Sequence, residues 1–204
     1  MRTYKETLEE TRTVLIKNFI SPDKAREWAQ RAKDGVETRV DREGSEAKNL
    51  DEGGAYNHGI ANALSSYRIL PEIFGIYESL PSYLSELTGR QVITSPYEKS
   101  TVTLKVYDKP NDQQGWHKDT NAFTALLILT DTGPGYGTEI EGIDGNVFNL
   151  ENEAGDLWLM YGRELRHRVP PIPEGKWRVT VPMNYYFSDD TWRPEGMDDL
   201  VYGM

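Results

Sequence analysis

Cysteine is absent from the 204 residues, which removes disulfides, thiolate metal sites and cysteine nucleophiles together. Histidine is scarce: only His58, His117 and His167 occur. Positive charge is in deficit, with 23 Lys and Arg against 33 Asp and Glu, a formal balance of −10. Such a field repels phosphate backbones, and no run of Lys or Arg offsets it, so nucleic acid is not the expected partner. Long apolar runs are missing too. Nothing approaches the ~20 residues of a membrane span, and Met1 to Glu6 lacks the apolar run of a signal peptide. No repeat or low-complexity tract interrupts the chain. What remains is a soluble, cytoplasmic protein of one domain, 1–204, long enough to bury a core and acting as monomer or homodimer on a small molecule. Within it, 1–90 reads as helical support and lid, 91–188 as a β core and 189–204 as an acidic tail carrying Trp192 and Tyr202.

Thr13 to Ile20 is rich in β-formers. Ser21-Pro22-Asp23 then supplies an N-cap, a proline at the first helical position and a first-turn acid, and predicts a helix to about Gly35 with Trp28 in the core. Residues 39–67 are polar and glycine-rich and read as a long irregular loop, with Tyr56-Asn57-His58 as a substrate-facing lid. A second helix is expected over Pro71 to Thr88, interrupted at Pro81 and ended by Gly89. Strands follow at Gln91–Thr94, Ser100–Tyr107, Phe123–Thr130, Thr138–Glu141, Asn146–Leu150, Asp156–Tyr161 and Arg178–Phe187. Helices followed by strands with Gly-rich turns predict a mainly β sandwich or jelly roll braced by two helices.

The chemistry centres on Gly115-Trp116-His117-Lys118-Asp119. In an extended segment His117 and Asp119 share a face while Lys118 points away. A His-x-Asp pair is two thirds of the two-histidine, one-carboxylate ligand set of non-haem iron oxygenases. His167 is the candidate third ligand. Arg178 opens the strongest alternating strand and shares a face with Thr180, a pairing suited to holding a carboxylate.

The sequence His117-x-Asp119, then His167, then Arg178-x-Thr180 resembles the 2-oxoglutarate and Fe(II)-dependent dioxygenases, particularly their prolyl-hydroxylase-like branch, over residues 99–187. The resemblance implies a double-stranded β-helix with iron held by His117, Asp119 and His167 at its open end. It further implies O2 and 2-oxoglutarate as cosubstrates, the distal carboxylate of the latter paired with Arg178. Thr180 stands where the family usually has serine, and Tyr107 where it often has a tyrosine that donates to the cosubstrate. Asp119 fills the place that halide takes in halogenating relatives, so the resemblance implies hydroxylation, desaturation or ring closure rather than chlorination.

Substrate contacts are expected from Tyr56, His58, Arg68, Trp116, Asn121 and Trp158, with Arg163, Arg166 and Arg168 as further cationic candidates. The expected substrate is an amino acid or biosynthetic intermediate, a peptidyl proline being the variant within the same class. Two rival readings stand beside it: a cupin-type metal enzyme without 2-oxoglutarate, and a non-enzymatic binding module.

Overall fold

Thr3 and Glu6 begin the chain's first helix, α1 (Tyr4–Thr11), as a reciprocal capping box: each side chain accepts from the other residue's backbone N–H. The sequence reading passed over this helix because only Leu8 on it is buried, so no apolar stripe announces it. The computed structural model describes residues 2–43 and 53–190. After α1 come β1 (Thr13–Ile16), α2 (Pro22–Gly35), β2 (Arg39–Glu43), β3 (Gly53–Ala61), α3 (Ala63–Ile69) and α4 (Glu72–Thr88). Then follow β4 (Val92–Thr94), β5 (Leu104–Tyr107), β6 (Gln113–His117), β7 (Phe123–Ile128), β8 (Thr138–Glu141), β9 (Val147–Leu150), β10 (Leu157–Met160), β11 (His167–Val169) and β12 (Arg178–Phe187). No helix among the described residues is long and apolar enough to cross a membrane.

Ser21 caps α2 through its hydroxyl, Pro22 opens it, and Ala25, Trp28, Ala29 and Ala32 form its buried stripe, as the spacing predicts. The expected break in α4 does not occur. Pro81 sits inside a continuous helix and cannot donate to the Tyr77 carbonyl four residues back. The Tyr185 hydroxyl takes that place, donating to Tyr77 O at 3.0 Å from β12. A tertiary hydrogen bond thus replaces the missing helical one.

All the described strands join one antiparallel sheet in the order β1-β10-β7-β12-β5-β3-β6-β11-β8-β9, with β2 on β3 and β4 on β12. The loop expected over 39–67 is replaced by the β2–β3 hairpin, in register Val40↔His58, and by α3. β3 escaped notice because Gly-Gly-Ala-Tyr-Asn-His-Gly-Ile-Ala carries no alternation of large side chains. Small size serves packing here: a Cβ on Gly59 would lie 3.2 Å from Val106 and Val36. Residues 44–52 of the expected loop, and the tail from 191 with Trp192 and Tyr202, lie outside the described residues.

The sheet curls, because residues of β3, β5, β6, β7, β8, β10, β11 and β12 all line one cavity. β12 divides the interior. Val179, Val181, Met183 and Tyr185 face the main core with Trp28, Ile73 and Leu84 of the helices. Arg178 and Thr180 face the cavity. The helices therefore buttress the wall that carries Arg178.

Candidate metal centre and cavity

His117 and His167 are direct partners across the β6–β11 ladder, their rings 4.2 Å apart at the centroids. Asp119 joins them by another route than the one expected. β6 ends at His117, so strand alternation does not place the carboxylate. Instead the Asp119 N–H donates to Gly162 O at 2.9 Å, folding the turn back over the site. The same irregularity brings Lys118, expected to point away, into the cavity lining.

Asp119 Oδ1 lies 3.5 Å from His117 Nε2 and 3.6 Å from His167 Nε2, and the three donor atoms all fall within 4.8 Å of one another. Two ligands bonded at about 2.1 Å to one ion and at right angles stand roughly 3 Å apart, so this spacing suits a shared metal. Both imidazoles are aimed by their backs. Nδ1 of His117 faces Gly115 O at 2.8 Å and Nδ1 of His167 faces Leu165 O at 3.0 Å. Each Nδ1–H donates to a carbonyl, which leaves the Nε2 lone pair turned towards the site. Burial first, then the neighbouring His117, brings the His167 pKa down to about 4, so this ring is neutral and ready to ligate near pH 7.

Burial opposes ionisation of Asp119, but His167, His117 and the Thr124 hydroxyl outweigh it and hold the carboxyl well below the usual carboxylate range. Its second oxygen is pinned: Thr124 Oγ1 donates to Oδ2 at 2.6 Å, and Asn121 Nδ2 holds Thr124 Oγ1 at 2.8 Å. Gly162 packs so tightly here that a Cβ would lie 2.7 Å from Asp119 Oδ2 and 2.6 Å from Thr124 Oγ1. Only glycine fits.

The cavity beside these ligands measures about 120 Å³. Arg178 lines it too, completely buried. Its Nη2 donates to Thr138 Oγ1 at 2.6 Å, while Nε and Nη1 are buried with no partner among the described residues. Burial lowers its pKa to about 10, so the group remains a cation near neutral pH. A buried guanidinium with two orphaned donor nitrogens calls for an anion. Thr180 stands beside it, two residues along β12 on the same face.

Tyr107 is fully buried, its guanidinium neighbour Arg178 5.9 Å from the ring centroid, and its hydroxyl donates to Gln114 Oε1 at 3.1 Å. His58 stacks on Tyr107 at 4.8 Å, and burial together with the Lys105 charge pushes its pKa well down. His58, Tyr56 and Asn121 all line the cavity.

The remaining expected substrate contacts lie elsewhere. Trp158 is core, packed with Leu126, Ile128 and Met160, its Nε1 donating to Asn152 Oδ1 at 2.6 Å. Trp116 is not part of the cavity wall, because it alternates away from His117; the guanidiniums of Arg166 and Arg168 flank it at 5.0 and 4.9 Å. Arg68 is exposed on α3. Arg163, Arg166 and Arg168 pair with Asp190, Glu141 and Glu139 respectively. The cations that do line the cavity are Lys105, Lys118 and Arg178, and Asp119 is its only carboxylate among the described residues.

Lys105, Gln114, Thr124, Thr138 and Gly162 escaped the sequence reading. Lys105 alternates with Val106 beside Tyr107 in β5, a signal that was available. Thr138 and Gly162 meet their partners only through tertiary folding.

Residues 1–145 match the family model described as Halogenase D, a span that includes His117 and Asp119 and stops short of His167 and Arg178. No curated protein matches the chain. Among solved structures it is similar to the non-haem alpha-ketoglutarate-dependent epimerase SnoN of nogalamycin biosynthesis, with 14% identity, 97% of this chain and 86% of that chain covered, and a TM-score of 0.73. The carbocyclase SnoK from the same biosynthesis gives 14%, 100%, 90% and 0.72 in the same order. A prolyl-4-hydroxylase of Pseudomonas putida gives 16%, 90%, 96% and 0.60. The shared feature at these identities is the fold, the double-stranded β-helix of 2-oxoglutarate/Fe(II) oxygenases.

Proposed function

Because the chain belongs to the Halogenase D family yet keeps a carboxylate at position 119, we propose that it is a 2-oxoglutarate/Fe(II)-dependent oxygenase that hydroxylates an unactivated C–H bond of a small molecule. One observation carries the reading: a fully buried Arg178, two of whose nitrogens have no partner among the described residues, shares a cavity with a His-Asp-His donor set. A metal enzyme of the same ligands without 2-oxoglutarate has no use for that guanidinium.

His117, Asp119 and His167 would hold the ferrous ion, and Arg178 with Thr138 and Thr180 the distal carboxylate of 2-oxoglutarate. Ferrous iron with 2-oxoglutarate and dioxygen supplies an oxidant strong enough to take hydrogen from an unactivated C–H bond, the cosubstrate leaving as succinate and CO2. The chain's residues do the rest. The backbone carbonyls of Gly115 and Leu165 keep both imidazoles in the ligating tautomer. Thr124 holds one carboxylate oxygen back, so Asp119 presents a single oxygen to the site. Buried apolar walls from Ile60, Leu126, Met160 and Val169 exclude water. Asp119 decides the outcome: a halide ligand would need its place.

Anaerobic addition of Fe(II) and 2-oxoglutarate to the purified protein tests this directly, since the chelate absorbs in the visible. A band that saturates with 2-oxoglutarate is expected, and no band would return the chain to a binding role. Small carboxylic substrates, free amino acids foremost, are then screened for substrate-stimulated succinate formation. A peptidyl proline belongs in the same screen.

A further inference from the structure

We infer that Asn121 is a positioning residue for the metal centre: it fixes the direction of the Thr124 hydroxyl and, through that hydroxyl, the orientation of the Asp119 carboxylate. This rests on the function proposed above. Asn121 follows Asp119 on the turn after β6, and Thr124 lies in β7, five positions from Asp119. Asn121 and Thr124 are buried, at 4% and 2% exposure.

The polarity of this relay is forced from both ends. Asn121 bonds twice through one side-chain atom, to Phe123 O at 2.7 Å and to Thr124 Oγ1 at 2.8 Å. A backbone carbonyl only accepts, so that atom is the amide nitrogen, and the Thr124 oxygen accepts from it. A hydroxyl carries one hydrogen. The Thr124 hydrogen therefore goes to Asp119 Oδ2 at 2.6 Å, a carboxylate oxygen that only accepts.

Accepting a bond from Asn121 also makes the Thr124 hydroxyl a better donor, since members of such a chain polarise one another. The pinned Oδ2 leaves Oδ1 turned towards Nε2 of His117 and of His167. Asn121 thus orders a metal ligand from one bond away. Two other roles compete for it: contact with the substrate, and bracing of the turn through Phe123 O alone.

Asn121→Leu removes both amide hydrogens at similar volume. It is made in the wild-type, Thr124→Ser and Thr124→Val backgrounds, and Mn(II) affinity is read from the free-ion paramagnetic resonance signal, with neither 2-oxoglutarate nor turnover. Asn121→Ala is the second truncation should the leucine disturb folding, which thermal melts report.

The expected result is Mn(II) binding weakened about tenfold or more in the wild-type and Thr124→Ser backgrounds, where the hydroxyl is present. In Thr124→Val, where it is gone, the same substitution should cost less than about twofold. Unchanged affinity in the wild-type background overturns the assignment and gives Asn121 to the substrate. A loss of equal size in Thr124→Val also overturns it, since Asn121 would then act through Phe123 O. Absence of Mn(II) binding by the wild-type protein, by contrast, defeats the proposed function itself.

Discussion

Asp119 is held by contacts that have nothing to do with metal: a threonine hydroxyl on one oxygen, its own backbone N–H donating to the Gly162 carbonyl, and a packing so close that a Cβ on that glycine would collide with its side chain. Such outer contacts commonly tune metal affinity by 10–100-fold. Thr124→Val removes the hydroxyl at nearly constant volume and should weaken metal binding by about that factor. Gly162→Ala should do at least as much, by pushing the carboxylate aside. Both are checked by anaerobic metal titration, and wild-type affinity in either would contradict the role given to the clamp. His117→Ala and His167→Ala should abolish turnover. Arg178→Ala should weaken 2-oxoglutarate binding by roughly 100-fold or more while leaving metal binding intact. The motif residues were readable because each carries a distinctive type at a distinctive place. Thr124 was not, lying inside a strand that is buried at every position and reads as plain core.

At the level of elements, the prolyl helix α4 shows how a local rule can be overridden. Pro81 forbids the bond to Tyr77 O, and β12 supplies a phenol hydroxyl in its place. Tyr185→Phe should strand a buried carbonyl and cost about 1–2 kcal/mol. In a Pro81→Ala background the restored amide can satisfy that carbonyl, so the same substitution should cost measurably less. A double-mutant cycle in urea reads the coupling directly; equal costs in the two backgrounds would refute the exchange. No sequence rule reveals that rescue, because the donor lies 108 residues from the acceptor. The capped helix α2 and the alternating strand β12 were readable for the opposite reason, since their determinants are neighbours in the chain. β3 was not: its glycines and small residues are chosen for close approach to β5, a partner invisible locally.

Over the whole molecule, buried histidines set the response to acid. His58 and His167 both have folded pKa values below the ordinary 6.5, that of His167 at about 4. As pH falls below 6.5 the unfolded chain takes up these protons and the folded one resists. Stability of the metal-free protein is therefore complete above about pH 6.5 and should decline towards pH 4, by up to about 1.4 kcal/mol per unit for each histidine. Asp119 works in a lower window, its contribution present above its unfolded pKa and lost in stronger acid. Thermal melts of metal-stripped protein between pH 7.5 and 5 should show a falling midpoint, and a flat one would count against neutral buried rings. The acidic balance of the sequence is a property of the surface and bears on none of this.

Arg178 gives the ligand-free fold a standing weakness. Its charge is fully buried with Nε and Nη1 unanswered among the described residues, and a buried charge without its counter-ion costs folding free energy. Arg178→Met should accordingly melt at a higher temperature than the parent when nothing is bound. Directed evolution for heat resistance alone would converge on this position and return a sturdier, inert scaffold.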